Sequence, residues 1–288
     1  MPLVPAICSS CGAQLEVDST QEAAVCKYCN TPFVTEKAIN NYSIKNSVVH
    51  IHAEMKDKKE FEIVAGDLVK YNGEEFELTV PDNVKRIGSH CFDNSALERI
   101  VLPEGLTEIE SFAFAKCSVL KSVELPSTLK KICCSAFVSC TLLEEIVIPD
   151  SVAVCENSAF EECRSLKRAT LSSSLTSISS DMFRDCRSLE SITIHEGVRT
   201  IGSKAFYGCR SLKSVSFPDS LEYIGENAFS DCESLSTVAI SNKLHQQSRQ
   251  SFLNTPWQKY IWKSQGRCPE CGGRYFFGFC TNCCSKRP

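Results

Sequence analysis

The chain has 288 residues, of which 43% are hydrophobic and 23% charged, a composition typical of a globular protein rather than a disordered one. Its formal net charge of −4 argues against a protein built mainly to bind polyanions. No apolar run approaches the roughly 20 residues of a transmembrane helix, and residues 1–7 lack the basic start of a signal peptide, so we expect a cytoplasmic protein without membrane contact.

Nineteen cysteines are more than an intracellular chain of this length usually carries. Eight of them form four C-x-x-C pairs, two near each end of the chain, and six more recur at a fixed period in the middle. Both patterns have an explanation in the reduced state, as metal ligands and as small buried side chains. The odd total also argues against a full disulfide framework, so the cysteines predict a reducing compartment.

Residues 1–35 contain the first two C-x-x-C pairs, Cys8 with Cys11 and Cys26 with Cys29, separated by fourteen residues. Zinc prefers four thiolates in a tetrahedron, and each tight pair can direct two sulfurs at one ion. The segment resembles a zinc ribbon, which implies a small structural zinc site. A disulfide pair or a rubredoxin-like iron site is the less favoured alternative.

Residues 36–60 are predicted to be a linker, with a solvated charged run over residues 56–60. Residues 61–79 then show two short alternating stretches that flank Asn72-Gly73. Asn-Gly between alternating runs is a strong signal for a β-hairpin. This segment is therefore predicted to be a cap whose hairpin turns at Asn72-Gly73.

Residues 80–257 repeat one pattern about eight times with a period of 23 residues. Each unit carries a Leu-x-x-Val-x-Leu stretch and an Ala-Phe pair followed by a cysteine. The most regular column is the phenylalanine: Phe92, Phe114, Phe137, Phe160, Phe183, Phe206, Phe229 and Phe252. A period in the twenties predicts units of one short strand and one return segment that stack on a shared core.

Individual columns of the repeat give finer expectations. The Ser-x-x-Ala-Phe-x-x-Cys stretch suits a helical turn, and Asn94 is expected to take the place of the cysteine in the first unit. The adjacent Cys133 and Cys134 are weighed as a redox pair against a plain structural role. In one column the charge of the side chain alternates in sign from repeat to repeat, which predicts a surface ladder of ion pairs between neighbouring strands. Its members are Glu98, Lys121, Glu144, Lys167, Glu190 and Lys213.

This repeat resembles the leucine-rich repeats of the BspA or Treponema pallidum type, whose units carry the same Leu-Pro, Ala-Phe, Cys and Leu-x-x-Val positions. The resemblance implies a leucine-rich-repeat solenoid of short parallel strands with short helical or irregular return segments. It also implies a role in adhesion or protein binding, and many members lie on bacterial surfaces. This chain differs from those members because no export signal is visible.

The outward strand positions offer a surface for a protein partner. Ser122 is grouped with the serines and threonines of the later repeats, whereas charged and apolar positions cluster in the earlier ones. We predict the partner surface at that second group: Arg99, Val101, Glu145, Val147 and Arg168.

The last repeat ends near Trp257, which is predicted to cover the end of the core, and residues 258–266 are predicted to be a linker. Residues 267–284 are predicted to form a second, shorter zinc ribbon, with Cys284 able to replace Cys283. Its ligands are Cys268, Cys271, Cys280 and Cys283. The sequence thus predicts two structural zinc ions.

The function expected is a non-enzymatic protein-binding scaffold, with zinc ribbons that tether or recruit. We find no Gly-rich phosphate loop, no nucleophile elbow and no paired histidines near a carboxylate. A nucleic-acid-associated adaptor is the first alternative, because residues 259–288 combine six basic residues and one acidic residue with interleaved aromatics. A bacterial surface adhesin is the second.

Overall fold

The computed structural model describes residues 3–7, 14–18, 23–25, 32–34, 60–239, 250–264, 267, 274–276 and 279–280. The chain divides into two compact units, Met1–Asp57 and Lys58–Pro288. The first unit contains two antiparallel hairpins. Their strands are β1 (Leu3–Ile7) with β2 (Gln14–Asp18), and β3 (Ala23–Val25) with β4 (Pro32–Val34).

The second unit begins with an antiparallel hairpin of β5 (Phe61–Val64) and β6 (Asp67–Tyr71). Its turn is Ala65-Gly66, with φ angles of 53° and 91°. A two-residue turn with positive φ at both positions matches the twist of the strands it joins. The prediction of a turn at Asn72-Gly73 is therefore wrong, because β6 turns back onto β5 and does not pair with the strand that follows it.

The Leu-x-x-Val-x-Leu stretches form a parallel ladder, which we call the front sheet. In every three-residue strand the central residue is more buried than its flanking outward residues, as the alternation predicts. Its strands are β7 (Glu77–Thr79), β9 (Arg99–Val101), β11 (Ser122–Glu124), β13 (Glu145–Val147), β15 (Arg168–Thr170), β17 (Ser191–Ile192), β19 (Ser214–Ser216) and β21 (Thr237–Ala239). The ladder of paired strand residues is interrupted between β11 and β13, where the amide of Glu144 still donates to the carbonyl oxygen of Lys121 at 3.5 Å.

The first seven repeats also contribute a second, two-residue strand, where the sequence predicted only one strand per unit; the corresponding segment of the last repeat lies outside the described residues. These strands form a second parallel ladder, the side sheet, which is interrupted between β14 and β16 and whose N-terminal edge is covered by β6 and β5. They are β8 (Arg86–Ile87), β10 (Glu108–Ile109), β12 (Lys131–Ile132), β14 (Val154–Cys155), β16 (Ser177–Ile178), β18 (Thr200–Ile201) and β20 (Tyr223–Ile224). The isoleucine or cysteine of each strand is buried, so both sheets close the same core.

The third side of each repeat is irregular, which is one of the two forms predicted for the return segments; the helical turn expected for the Ser-x-x-Ala-Phe-x-x-Cys stretch is wrong. Two residues per unit have positive φ, such as Ser135 at 55° and Ser139 at 59°, which an α-helix does not allow. The amide of Phe137 donates to the carbonyl oxygen of Ala159 at 2.8 Å, and that of Ser139 donates to Glu161 at 2.7 Å. These amides therefore bond to the next repeat instead of the preceding turn.

The eight predicted phenylalanines stack as a single buried column. Neighbouring ring centroids lie 4.9–5.6 Å apart with interplanar angles of 3–13°. Tyr71 continues the column at one end, 5.2 Å from Phe92, and Trp257 covers the other end, 4.8 Å from Phe252. Trp257 lies in a helix, α1 (Pro256–Ser264), which overlaps the segment predicted as a linker.

Cysteines of the repeat column are buried, and each thiol donates to the carbonyl oxygen of the phenylalanine in the preceding unit. The Sγ of Cys186, for example, lies 3.2 Å from the oxygen of Phe160. The amide of Cys117 also donates to Phe114, three residues earlier in its own unit, and in the first unit the amide of Ser95 makes the matching bond to Phe92. Ser95, and not Asn94, therefore takes the place of the cysteine.

The predicted ladder of alternating charges exists as separate pairs. Lys121 bonds to Glu98 at 2.6 Å, Lys167 to Glu144 at 2.9 Å and Lys213 to Glu190 at 3.1 Å. Within the described residues no ion pair joins one couple to the next. Exposed pairs of this kind stabilise by about 0.2–1 kcal/mol each and help to hold the register.

Candidate functional site

The front sheet presents two rows of outward side chains, because alternate residues of each strand face solvent. From β15 to β21 these rows consist mostly of small hydroxyl side chains, such as Thr170 and Ser214. From β9 to β15 they contain charged and branched apolar side chains. The earlier half is therefore the chemically distinctive part of this surface.

The structure places the five predicted partner residues on three strands of this half. Arg99 and Val101 lie on β9, Glu145 and Val147 on β13, and Arg168 on β15. All five are exposed. The exposed fraction is 40% for Val101 and 61% for Val147, which is high for valines.

Strand β11 lies between the two predicted groups and carries two residues that the sequence interpretation left out of the patch. Ser122 is in register with Arg99, and Glu124 is in register with Val101. In the same row, the position one repeat later is Val147. The 23-residue register alone could have found Glu124, because its column reads valine, glutamate, valine. We call these seven residues the front patch: Arg99, Val101, Ser122, Glu124, Glu145, Val147 and Arg168.

Charges within the front patch are only partly paired. The guanidinium of Arg168 donates to the carboxylate of Glu145 on the adjacent strand. Arg99 and Glu124 form no ion pair with any residue that the structure describes. One cation and one carboxylate are therefore free to meet groups of a partner.

The interruption of the front sheet coincides with a concavity of about 530 Å³. Carboxylates and apolar groups line it together, which distinguishes it from the hydroxyl-rich surface of the later repeats. Among the lining residues are Ser122, Glu124, Leu125, Glu145, Val147 and Pro149.

The side sheet carries a charge network that sequence reasoning missed. Arg86 makes two hydrogen bonds to Asp67, at 2.8 and 2.9 Å, and its guanidinium lies 3.2 Å from Glu110. Lys131 lies 2.9 Å from Glu156. These charges satisfy one another across neighbouring strands, so we assign the network to stability.

The adjacent thiols of Cys133 and Cys134 donate to carboxylates of opposite neighbouring repeats. Cys133 Sγ lies 3.3 Å from Glu108 and Cys134 Sγ lies 3.1 Å from Glu156. Burial raises the pKa of Cys133 to about 11 and also raises the pKa of Cys134. Neutral thiols that point apart fit a structural role better than the redox pair weighed above.

The predicted zinc ligands Cys8, Cys11, Cys26, Cys29, Cys268, Cys271 and Cys283 lie outside the described residues, as does the side chain of Cys280. Their positions along the chain relative to the strands are nevertheless known. Cys8 and Cys11 follow β1 and precede β2, whereas Cys26 and Cys29 fall between β3 and β4. Cys280 ends β23 (Phe279–Cys280), which pairs with β22 (Tyr275–Phe276).

Within the part of the chain that the structure describes, no three His, Cys, Asp or Glu side chains gather in a way that could hold a metal ion. The same part contains no helix long and apolar enough to cross a membrane.

Comparison with solved structures shows the same repeat architecture. A leucine-rich cell surface protein from Faecalibacterium prausnitzii is 35% identical over 62% of this chain and 52% of its own, with a TM-score of 0.58. A leucine-rich repeat protein from Bacteroides ovatus is 31% identical over 58% and 50%, with a TM-score of 0.51. This chain thus spans about half the length of either. The Treponema pallidum leucine-rich repeat protein is 26% identical over 71% of this chain and 99% of its own, with a TM-score of 0.59.

No curated protein matches the sequence. The model of the BspA-type leucine-rich repeat region, however, matches residues 71–189 and 155–283, which together make up well over half of the chain. Solenoids of this family are generally non-enzymatic binding scaffolds. The repeat period, the parallel ladders and this match agree, and the chain belongs to the BspA-type leucine-rich repeat family.

Proposed function

We propose that this chain is a non-enzymatic protein-binding scaffold and that its front patch is the partner surface. The observation that carries the proposal is the composition of that patch. Two exposed valines flank a carboxylate without an ion pair, next to an arginine that also has none, at the one interruption of the front sheet within the described residues. Exposed apolar side chains grouped with free charges are typical of a protein interface.

Replacing Val147 by aspartate is expected to abolish binding of the partner. The side chain points outward from β13 and is 61% exposed, so the change adds charge to the interface without altering the core. The measurement is affinity capture from cell extract with the immobilised full chain, followed by quantitative mass spectrometry. At least one protein should be enriched by the wild type and lost with V147D.

Thr193→Asp is the matched control, because Thr193 occupies the same outward row two repeats later and is also exposed. It should retain the proteins captured by the wild type. Capture of the same proteins by wild type and V147D would contradict the proposed surface. Recovery of nucleic acid alone, released by nuclease or salt, would favour the adaptor alternative through the basic C-terminal segment.

A surface adhesin is the second candidate function, favoured by the resemblance to a protein named as a leucine-rich cell surface protein. We favour the cytoplasm, because two clusters of four cysteines suit a reducing compartment. Cell fractionation separates the two, since an adhesin would be recovered in the cell-wall fraction.

We further propose that the two groups of four cysteines each hold one structural zinc ion, in ribbons that tether or recruit. Spacing supports the proposal, together with the position of both N-terminal C-x-x-C pairs between paired strands. Thiolates would hold the metal, and the metal would supply most of the folding free energy of these small segments.

Metal analysis of the purified protein is expected to find two zinc ions per chain. A chelator should remove both while the circular dichroism and the unfolding transition of residues 80–257 persist, since the repeats have their own core. Alkylation in the native state should modify the eight cysteines only after chelation. A metal-free protein with oxidised terminal cysteines would show that the pairs are disulfides.

A further inference from the structure

The concavity between β11 and β13 is lined by both apolar and acidic side chains. Leu125, Val147 and Pro149 are its apolar members, and Val147 is the most exposed of them. Glu104, Glu124 and Glu145 contribute carboxylates to the same lining. A ligand that fits must therefore combine apolar surface with a polar or charged end.

Only one of the three carboxylates is free. Glu145 accepts from Arg168 on the neighbouring strand. Glu104 accepts from the amide and the hydroxyl of Ser127, at 3.2 and 3.1 Å. Glu124 has neither an ion pair nor a hydrogen-bond partner among the residues that the structure describes, and its row neighbours Val101 and Val147 cannot supply one.

We propose that this concavity receives a lysine or arginine side chain of the protein partner. The aliphatic stem lies against Leu125, Val147 and Pro149, and the cationic end meets the carboxylate of Glu124. Long basic side chains have this division between apolar stem and charged head. The inference rests on the proposed function, since it names the chemistry that the front patch recognises.

Other occupants fit less well. A purely apolar side chain would remove Glu124 from water without a compensating charge, which is costly. A hard metal ion needs six or more oxygen ligands, and the described residues contain no such cluster. Arg99, on the strand before Glu124, is a cation of the chain itself, but it forms no ion pair with that carboxylate.

The test begins with phage-displayed random dodecapeptides selected on the immobilised full chain. Peptides enriched on the wild type should share a lysine or arginine beside an apolar residue. The same selection on Glu124→Lys should replace the basic residue by an acidic one. Absence of a shared basic residue on the wild type, including failure to enrich any peptide, would overturn the proposal.

The best peptide is then synthesised and its dissociation constant is measured with full-length variants. Glu124→Gln should weaken binding about tenfold, as should replacing the basic residue of the peptide by glutamine. The two changes together should cost no more than either alone, because they remove the same contact. Glu226→Gln, at an exposed glutamate without an ion pair among the described residues, is the control and should bind as the wild type does.

Different experimental outcomes would contradict the cationic contact and the proposed partner surface. If V147D abolishes capture of the partner while E124Q and the peptide change prove additive, the surface is correct and the cationic contact is wrong. If V147D leaves capture intact, the partner binds elsewhere on the chain.

Discussion

Replacing Phe160 by alanine is expected to lower the free energy of unfolding by about 3–5 kcal/mol. Phe160 has no exposed surface and stacks between Phe137 and Phe183, at centroid distances of 5.4 and 5.6 Å. The substitution leaves a cavity in the middle of the column and removes both ring contacts. Because each repeat contacts only its neighbours, the damage should uncouple the two halves of the solenoid and broaden the unfolding transition.

Urea denaturation followed by circular dichroism measures this effect. Phe76→Ala is the matched control, since Phe76 is 64% exposed and lies outside the column; it should change the free energy of unfolding by about 0.5 kcal/mol or less. A loss below about 1 kcal/mol for F160A would show that the phenylalanine column is not the main support of the core.

Raising the pH from about 9 to about 11 is expected to unfold the repeats. Burial raises the pKa of Cys91, Cys163 and Cys232 from 9.0 to about 12, and it also raises the pKa of Cys155, Cys186 and Cys209. Above pH 9 these thiols ionise in the unfolded chain and stay protonated in the folded one. The folded state then binds more protons, so stability is complete below about pH 9 and declines as the pH rises toward the folded pKa.

Each such thiol contributes a decline of about 1.4 kcal/mol per pH unit. Three of them would together lower the free energy of unfolding by about 4 kcal/mol per pH unit, or by about 8 kcal/mol over two units, which falls within the 5–15 kcal/mol that a domain usually has. The measurement is the free energy of unfolding between pH 7.5 and 11 in the presence of a reductant that prevents disulfide formation.

Cys163→Ala isolates the contribution of one thiol. Above pH 9 the free energy of unfolding of this variant should decline less steeply than that of the wild type. The difference between the two slopes should be about 1.4 kcal/mol per pH unit. Ser118→Ala, at an exposed position beside the cysteine column, should follow the wild type. Parallel declines of wild type and C163A would mean that the thiol does not stay protonated in the folded protein.

Much of the front patch could be predicted from the sequence, because outward positions on stacked strands follow from alternation and a constant period. Arg99, Val101, Glu145, Val147 and Arg168 are exposed as expected. Glu124 was missed although its column is visible in the sequence. Its place in the proposed site depends on which neighbouring charges are already paired, and pairing is a property of three-dimensional distances.

The 23-residue period by itself determined the family, the stacking direction and the phenylalanine core, since identical units bury their apolar faces only against one another. Tertiary structure decided the rest. The cap turns at Ala65-Gly66 because β6 pairs with β8 as well as β5, which outweighs the local preference of Asn72-Gly73. The interruption between β11 and β13 is also tertiary, because the repeat pattern continues across it unchanged while the amide of Glu144 reaches the carbonyl oxygen of Lys121 only at 3.5 Å.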